Sequence, residues 1–155
     1  MNQELEWWAS EGGNSYMRRN EILATEPPRR RGSWRKIIAA LDAQFELATP
    51  RCYPTRLQLY SALRGHRRVL EVGPGPGANL RVLHDLLGDS AALYGVEPNE
   101  QARKVLKEAC PFAQVQDGHA GNILAEDKSF DLVFTAGVLI HVHPDRLEDA
   151  MKEII

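Results

Sequence analysis

Residues 69 to 77 read Val69-Leu70-Glu71-Val72-Gly73-Pro74-Gly75-Pro76-Gly77. A short apolar run that ends in an acidic residue and passes straight into alternating glycines predicts a buried strand leaving its sheet through a tight turn. Glycine is needed where the backbone closes against a ligand, because a side chain would hold the two apart. A helix is expected from near Asn79, with Leu80, Leu83, Leu86 and Leu87 toward the sheet and Gly88 as its C-cap. Strand, turn and helix together suit a nucleoside-containing ligand at the carboxyl edge of a parallel sheet.

Further strands are expected over 91–96, 112–115 and 130–135. Between the first two of these, Asn99 caps a helix carrying Ala102, Val105, Leu106 and Ala109, which stops before Pro111. A last helix begins near Pro144, with Leu147, Ala150, Met151, Ile154 and Ile155 on one apolar stripe. This alternation implies right-handed crossovers and a parallel sheet. The fold class is therefore α/β, a Rossmann-like parallel sheet of about four strands. Residues 67–155 form the cofactor-binding region, and residues 1–66 an N-terminal helical arm with capping helices, within a single domain. In the arm, Trp7, Trp8, Tyr16 and Met17 supply an apolar face. Glu26-Pro27-Pro28-Arg29-Arg30-Arg31-Gly32 reads as a loop, followed by helices over 33–48 and 55–63.

The glycine turn fits two templates, G-x-G-x-x-G/A through Gly73, Gly75 and Ala78, and the tighter G-x-G-x-G through Gly73, Gly75 and Gly77. A diphosphate is held by backbone N–H groups of such a turn and the helix after it. Pro74 and Pro76 have none to give. S-adenosylmethionine (SAM) carries no phosphate, and its positive sulfonium suits Glu71 beside the turn, so SAM is favoured over a nicotinamide dinucleotide. A second carboxylate is expected roughly 20 residues on, to grip ribose hydroxyls. Leu93-Tyr94-Gly95-Val96-Glu97 supplies it, and such charge-assisted bonds are about twice as strong as neutral ones. The plainer reading of Glu97 is the start of a surface turn at Pro98-Asn99.

Glu71 to Gly77, Glu97 and Phe130-Asp131-Leu132-Val133-Phe134 together resemble the class I SAM-dependent methyltransferases. Glu6-Trp7-Trp8-Ala9 with Gly13, Tyr16 and Arg19-Asn20, and Gly137-Val138-Leu139-Ile140-His141-Val142-His143-Pro144-Asp145, resemble more narrowly the methylases associated with pseudaminic acid biosynthesis. The resemblance implies the class I methyltransferase fold and methyl transfer from SAM to a small-molecule acceptor, such as a sugar-nucleotide or glycan precursor. It implies that Glu71, Gly73, Gly75 and Gly77 cradle the methionine portion, Glu97 the ribose, and His119 with Ala120 the adenine. Pro74, Asn79, Pro98 and Gly137 complete the cofactor contacts, and the arm either folds over them, as the resemblance implies, or is an aromatic stripe that simply caps the core. Family members often place an Asp where the chain leaves the third strand. Here that position falls on His119, with Asp117 earlier, so the adenine contact is open between them.

Methyl transfer from a sulfonium is an in-line displacement, and alignment alone can supply ~7–11 kcal/mol without a covalent role for the protein. No catalytic triad is needed. A hydroxyl or ammonium acceptor benefits from a general base, and His141, then His143, lie just past the fourth strand where the acceptor arrives. The plainer reading is a loop entering a helix, with Pro144 in its first turn and Asp145 complementing the dipole. Two histidines and one Asp are too few for a metal site, so none is expected.

At 155 residues, 43% hydrophobic and 26% charged, the composition is that of an ordinary globular domain. A net charge of −2 creates no general field toward nucleic acid or an anionic membrane, and neither is expected as a partner. No apolar run approaches the ~20 residues of a membrane span. The polar N-terminus lacks a hydrophobic signal core, which points to the cytoplasm. Cys52 and Cys110 are too distant for a C-x-x-C motif and suit a reducing compartment. Relatives by resemblance continue for about three more strands beyond the last helix, without which the fourth strand is an exposed apolar edge. Either the chain is a truncated product, or a homo-oligomer contact or another partner covers that edge. The alternative function is then a cofactor-binding module without turnover that associates with a partner.

Overall fold

Val69, Leu70, Glu71 and Val72 are all buried, so strand β1 (Arg68–Val72) is covered on both faces, as an unbroken apolar run requires. The computed structural model describes residues 3–20 and 65–155. Three more strands, β2 (Ala92–Val96), β3 (Ala113–Gln116) and β4 (Leu132–Thr135), complete a parallel sheet in the order β3-β2-β1-β4. Leu70 lies opposite Tyr94 on one side and Val133 on the other. The order reverses at β1, and ligands of open α/β sheets bind outside the carboxyl ends at such a reversal.

The helices are α1 (Gln3–Ala9), α2 (Glu11–Asn20), α3 (Ala78–Leu87), α4 (Glu100–Ala109) and α5 (Pro144–Ile154). Leu80, Leu83 and Leu87 of α3 and Leu106 of α4 pack with Val69 and Leu93 on one face of the sheet. Leu70, Val72 and Val96 face the other way, against Ala120, Ile123 and Ala150. Gly88 closes α3 with positive φ, its N–H donating to the His84 carbonyl.

Several boundaries differ from expectation. The third strand is displaced by one residue, because Phe112 is used instead to stack on His84, ring centroids 3.9 Å apart. The fourth begins at Leu132 and not at residue 130. Asp131 is diverted there: its carboxylate accepts the backbone N–H groups of Arg67 and Arg68, both at 2.8 Å, while Phe130 packs edge-on against Tyr94. The apolar stripe of α5 is covered only in part. Ala150 is buried and Ile154 packs against the core, but Leu147 and Met151 are each 38% exposed and Ile155 95%. The sheet reaches only the face that the small Ala150 lets approach. Among the described residues β4 pairs with β1 alone. The arm is two helices broken at Ser10, whose hydroxyl donates to the Trp7 carbonyl at 3.1 Å. The loop over 26–32, the helices expected over 33–48 and 55–63, Cys52, and the side chains of Tyr16 and Met17 lie outside the described residues.

Candidate functional site

The turn after β1 is built from its own amides. Gly73 N–H donates to the Val96 carbonyl at 2.8 Å, tying β1 to the end of β2. Gly77 N–H returns to the Pro74 carbonyl at 2.9 Å, and Gly75 N–H donates to Glu97 Oε2 at 3.2 Å. Pro74 and Pro76 contribute no N–H. Every backbone position from 73 to 77 is therefore either already donating or unable to donate. Gly77, at φ 82°, is held under α4, where a Cβ would lie 2.5 Å from Cys110 Sγ and Leu106 Cδ1. Gly75, at φ 52°, faces space that the described residues leave open: a Cβ there would meet none of them within 4 Å.

Two carboxyl groups flank this turn. Glu71 is 1% exposed; its Oε1 accepts from Asn79 Nδ2 at 2.6 Å, while Oε2 is buried without a partner among the described residues. Burial pushes the Glu71 carboxyl up to about 8, against the Asn79 hydrogen bond and with added repulsion from Glu97. Glu97 is also buried, and Oε1 accepts the Asn99 N–H at 3.1 Å. Burial raises its pKa too, opposed by the backbone bonds from Asn99 and Gly75 and by Arg103. A carboxylate has about four acceptor positions, so both oxygens keep capacity for a further donor. Pro98, half-buried, separates Glu97 from Asn99.

At the end of β3, Asp117 is paired with Arg103 at 2.7 Å, and the same guanidinium donates to the Glu97 carbonyl at 2.7 Å. The backbone N–H and carbonyl of His119 are both paired with Asn122, at 3.0 and 2.9 Å, and its Nδ1 accepts from Gly121 N–H. Ala120 is buried against the core that holds Leu70 and Val96. Beyond β4, Gly137 is exposed at φ 77°, and a Cβ on Gly73 would run into the Val138 side chain, so this loop borders the turn. His141, exposed in a single 3-10 turn (Leu139–His141), has its ring 4.8 Å from that of Trp8. His143 is the N-cap of α5, its Nδ1 accepting the Asp145 N–H at 3.3 Å with Pro144 next in the helix.

Glu71, Gly73, Pro74, Gly75, Gly77, Asn79, Glu97 and Pro98 thus converge on the carboxyl ends of β1 and β2. His119 and Ala120 stand at the β3 flank, and Gly137 and His141 at the β4 flank. Asn99, read from sequence only as a helix cap, is a further member: Nδ2 donates to the Trp8 carbonyl at 2.8 Å and to Asn14 Oδ1 at 2.9 Å. No local signal announces those contacts. A cavity of about 390 Å³ against Arg68, Tyr94, Gln116, Glu126 and Phe130 includes no residue of the turn. Among the described residues no three His, Cys, Asp or Glu side chains gather as metal ligands.

Residues 69–155 match a family described as a methyltransferase domain. No curated protein matches the chain. Among solved structures the chain is similar to SAM-bound CalS10, an amino pentose methyltransferase from Micromonospora echinaspora involved in calicheamicin biosynthesis. Identity is 15% and TM-score 0.58, covering 82% of this chain and 47% of that one. It is similar to the PH0226 protein of Pyrococcus horikoshii OT3, at 21% identity and TM-score 0.61, covering 90% and 55%. It is also similar to the plantazolicin methyltransferase BpumL in complex with S-adenosylhomocysteine (SAH), at 13% identity and TM-score 0.56, covering 98% and 51%. The chain spans about half the length of these structures, and the likeness is one of fold.

Proposed function

We propose, from the premise that the chain belongs to the methyltransferase domain family over residues 69–155, that it binds SAM at the carboxyl ends of β1 and β2 and methylates a small-molecule acceptor. The observation that carries this reading is the fate of the amides from 73 to 77. With each one spent or replaced by proline, the turn offers no N–H to a diphosphate, which disfavours a dinucleotide. The unpartnered Oε2 of Glu71 and the open space over Gly75 fit a cationic ligand that needs room but no phosphate cradle. Bound there, SAM supplies an electrophilic methyl carbon.

In this reading Glu71 and Asn79 hold the methionine end, with Gly73, Pro74, Gly75 and Gly77 shaping the cradle. Glu97 uses its remaining acceptor positions for ribose hydroxyls, beside Pro98. Ala120 and His119 border the adenine, and Gly137 opens the acceptor side. His141, exposed on that side, takes the proton from a hydroxyl or ammonium acceptor. A sugar-nucleotide or glycan precursor is the acceptor class favoured by the resemblance of 137–145 and of the Trp7-Trp8 segment. CalS10, an amino pentose methyltransferase, supports it. The reading places the protein in the cytoplasm; no described helix is long and apolar enough to cross a membrane.

A second reading rests on the edge of β4, which no described strand pairs, and the exposed Leu147 and Met151: a cofactor-binding module that associates with a partner or a second copy. A monomer that methylates an acceptor excludes it. For the main reading, calorimetric titration should show that SAH binds and NAD does not. Glu97→Ala should weaken SAH by roughly tenfold or more, the worth of one charge-assisted hydrogen bond. No SAH binding, or affinity indifferent to Glu97→Ala, overturns the assignment.

A further inference from the structure

We propose that Asn99 is a positioning residue that holds the N-terminal arm as a strap across the cofactor site, an inference that rests on the function proposed above. Asn99 is 1% exposed, and both ends of its amide are in use. Oδ1 accepts the Ala102 N–H at 2.8 Å and starts α4. Nδ2 donates to the Trp8 carbonyl and to Asn14 Oδ1, on either side of the break between α1 and α2, with the Ser10 carbonyl farther at 3.4 Å. Gly13 is buried at the same point, where a Cβ would collide with the Trp8 carbonyl and lie 2.8 Å from Asn99 Nδ2. Only glycine lets the arm settle onto this side chain.

Trp8, held at its carbonyl by Asn99, carries the strap to the other flank with its ring, which meets that of His141 at 4.8 Å. Asn99 follows β2 and His141 follows β4, and β1 lies between those strands in the sheet. A segment anchored to both must therefore cross the edge from which the glycine turn leaves β1. The backbone of Asn99 also donates to Glu97 Oε1, so one residue touches the strap, the start of α4 and the carboxylate assigned to the ribose. Losing the Nδ2 donor lifts the strap without removing the helix cap, and bound cofactor escapes faster.

Asn99→Ser keeps an oxygen for the Ala102 N–H and removes the long donor arm. Asn99→Asp keeps the cap and sets a carboxylate against the Trp8 carbonyl. Both are made in the full chain, with Trp7→Phe and Trp34→Phe so that Trp8 is the remaining tryptophan. The expected result is an SAH dissociation rate raised about tenfold, the loss of one or two hydrogen bonds, and increased acrylamide quenching of Trp8. The unliganded melting temperature of Asn99→Ser stays within about 5 °C, because a serine cap costs little. SAH release and Trp8 quenching unchanged in both variants overturn the inference. Should the unsubstituted chain fail to bind SAH, the function is wrong, and Trp8 quenching alone then decides whether Asn99 holds the strap.

Discussion

Asn79 reaches from the first turn of α3 to donate to Glu71 Oε1 at 2.6 Å, and the other, buried oxygen of that carboxyl has no partner among the described residues. One hydrogen bond does not offset the burial of a carboxylate. The group ionises near 8 in the folded protein, against an ordinary value of 4.5. Between those two values the folded chain keeps a proton that the unfolded chain has released. The contribution to stability is thus fully present below about 4.5 and is lost as pH rises through about 8. Glu71→Gln keeps the shape and cannot ionise. It is expected to melt with the unsubstituted protein at pH 4.5 and above it at pH 8.5, as scanning calorimetry across that range will show. Equal melting temperatures at pH 8.5 would contradict the prediction.

In the proposed reading the same carboxyl links the cofactor to a proton. The α-ammonium of the amino-acid end, which SAM and SAH both carry, favours the ionised form of Glu71 when placed beside it. SAH binding at pH 7 is then expected to release up to about one proton, read from the dependence of binding enthalpy on buffer ionisation heat. Glu71→Gln abolishes that dependence, while the Glu97, Cys110 and Arg81 groups around it remain.

Two glycines of one turn are expected to respond differently to the same methyl group. Gly77→Ala places a Cβ at φ 82° and 2.5 Å from Cys110 Sγ and Leu106 Cδ1. Strain and overpacking together cost roughly 2–5 kcal/mol. Gly75→Ala, at φ 52° with nothing nearby, costs about 1–2 kcal/mol of stability. Its methyl group instead enters the space assigned to cofactor and weakens SAH more than Gly77→Ala does at a temperature where both are folded. Urea unfolding and SAH titration of the two variants separate these effects.

How much of this was legible in the sequence depends on how far each signal reaches. The glycine turn, the α3 stripe and the Asn99 cap are set by neighbours within a few residues, and local patterning found them; it put Pro144 in the first turn of the last helix without identifying His143 as its cap. The spacing from Glu71 to Glu97 found both carboxyl groups, because one crossover helix separates consecutive strands. What spacing does not carry is where a polar group spends its bonds. Asp131 leaves the fourth strand to cap Arg67 and Arg68, and Gly75 N–H is spent on Glu97, partners 64 and 22 positions away. Asn99 Nδ2 serves Trp8 across 91 positions. Likewise periodicity drew the apolar stripe of α5, while only the sheet decides that Ala150 is covered and Leu147 and Met151 are not.

His141 and His143 stand two residues apart and have different surroundings, so they are expected to answer differently to substitution. His143 Nδ1 accepts the Asp145 N–H and begins α5. Losing that bond in His143→Ala costs about 1 kcal/mol of stability, and His143→Asn restores it, with the methylation rate little changed in either. His141 makes a ring contact with Trp8 at the β4 flank. If it removes the acceptor proton, His141→Ala lowers the single-turnover methylation rate by ~10²–10⁴ and leaves SAH affinity nearly intact, because the proposed reading holds the cofactor from β1 and β2. The deficit should shrink as pH rises and the acceptor ionises without help. A rate unaffected by His141→Ala at every pH would remove His141 from the chemistry, and parallel losses of rate and SAH affinity would make it a support for Trp8 instead.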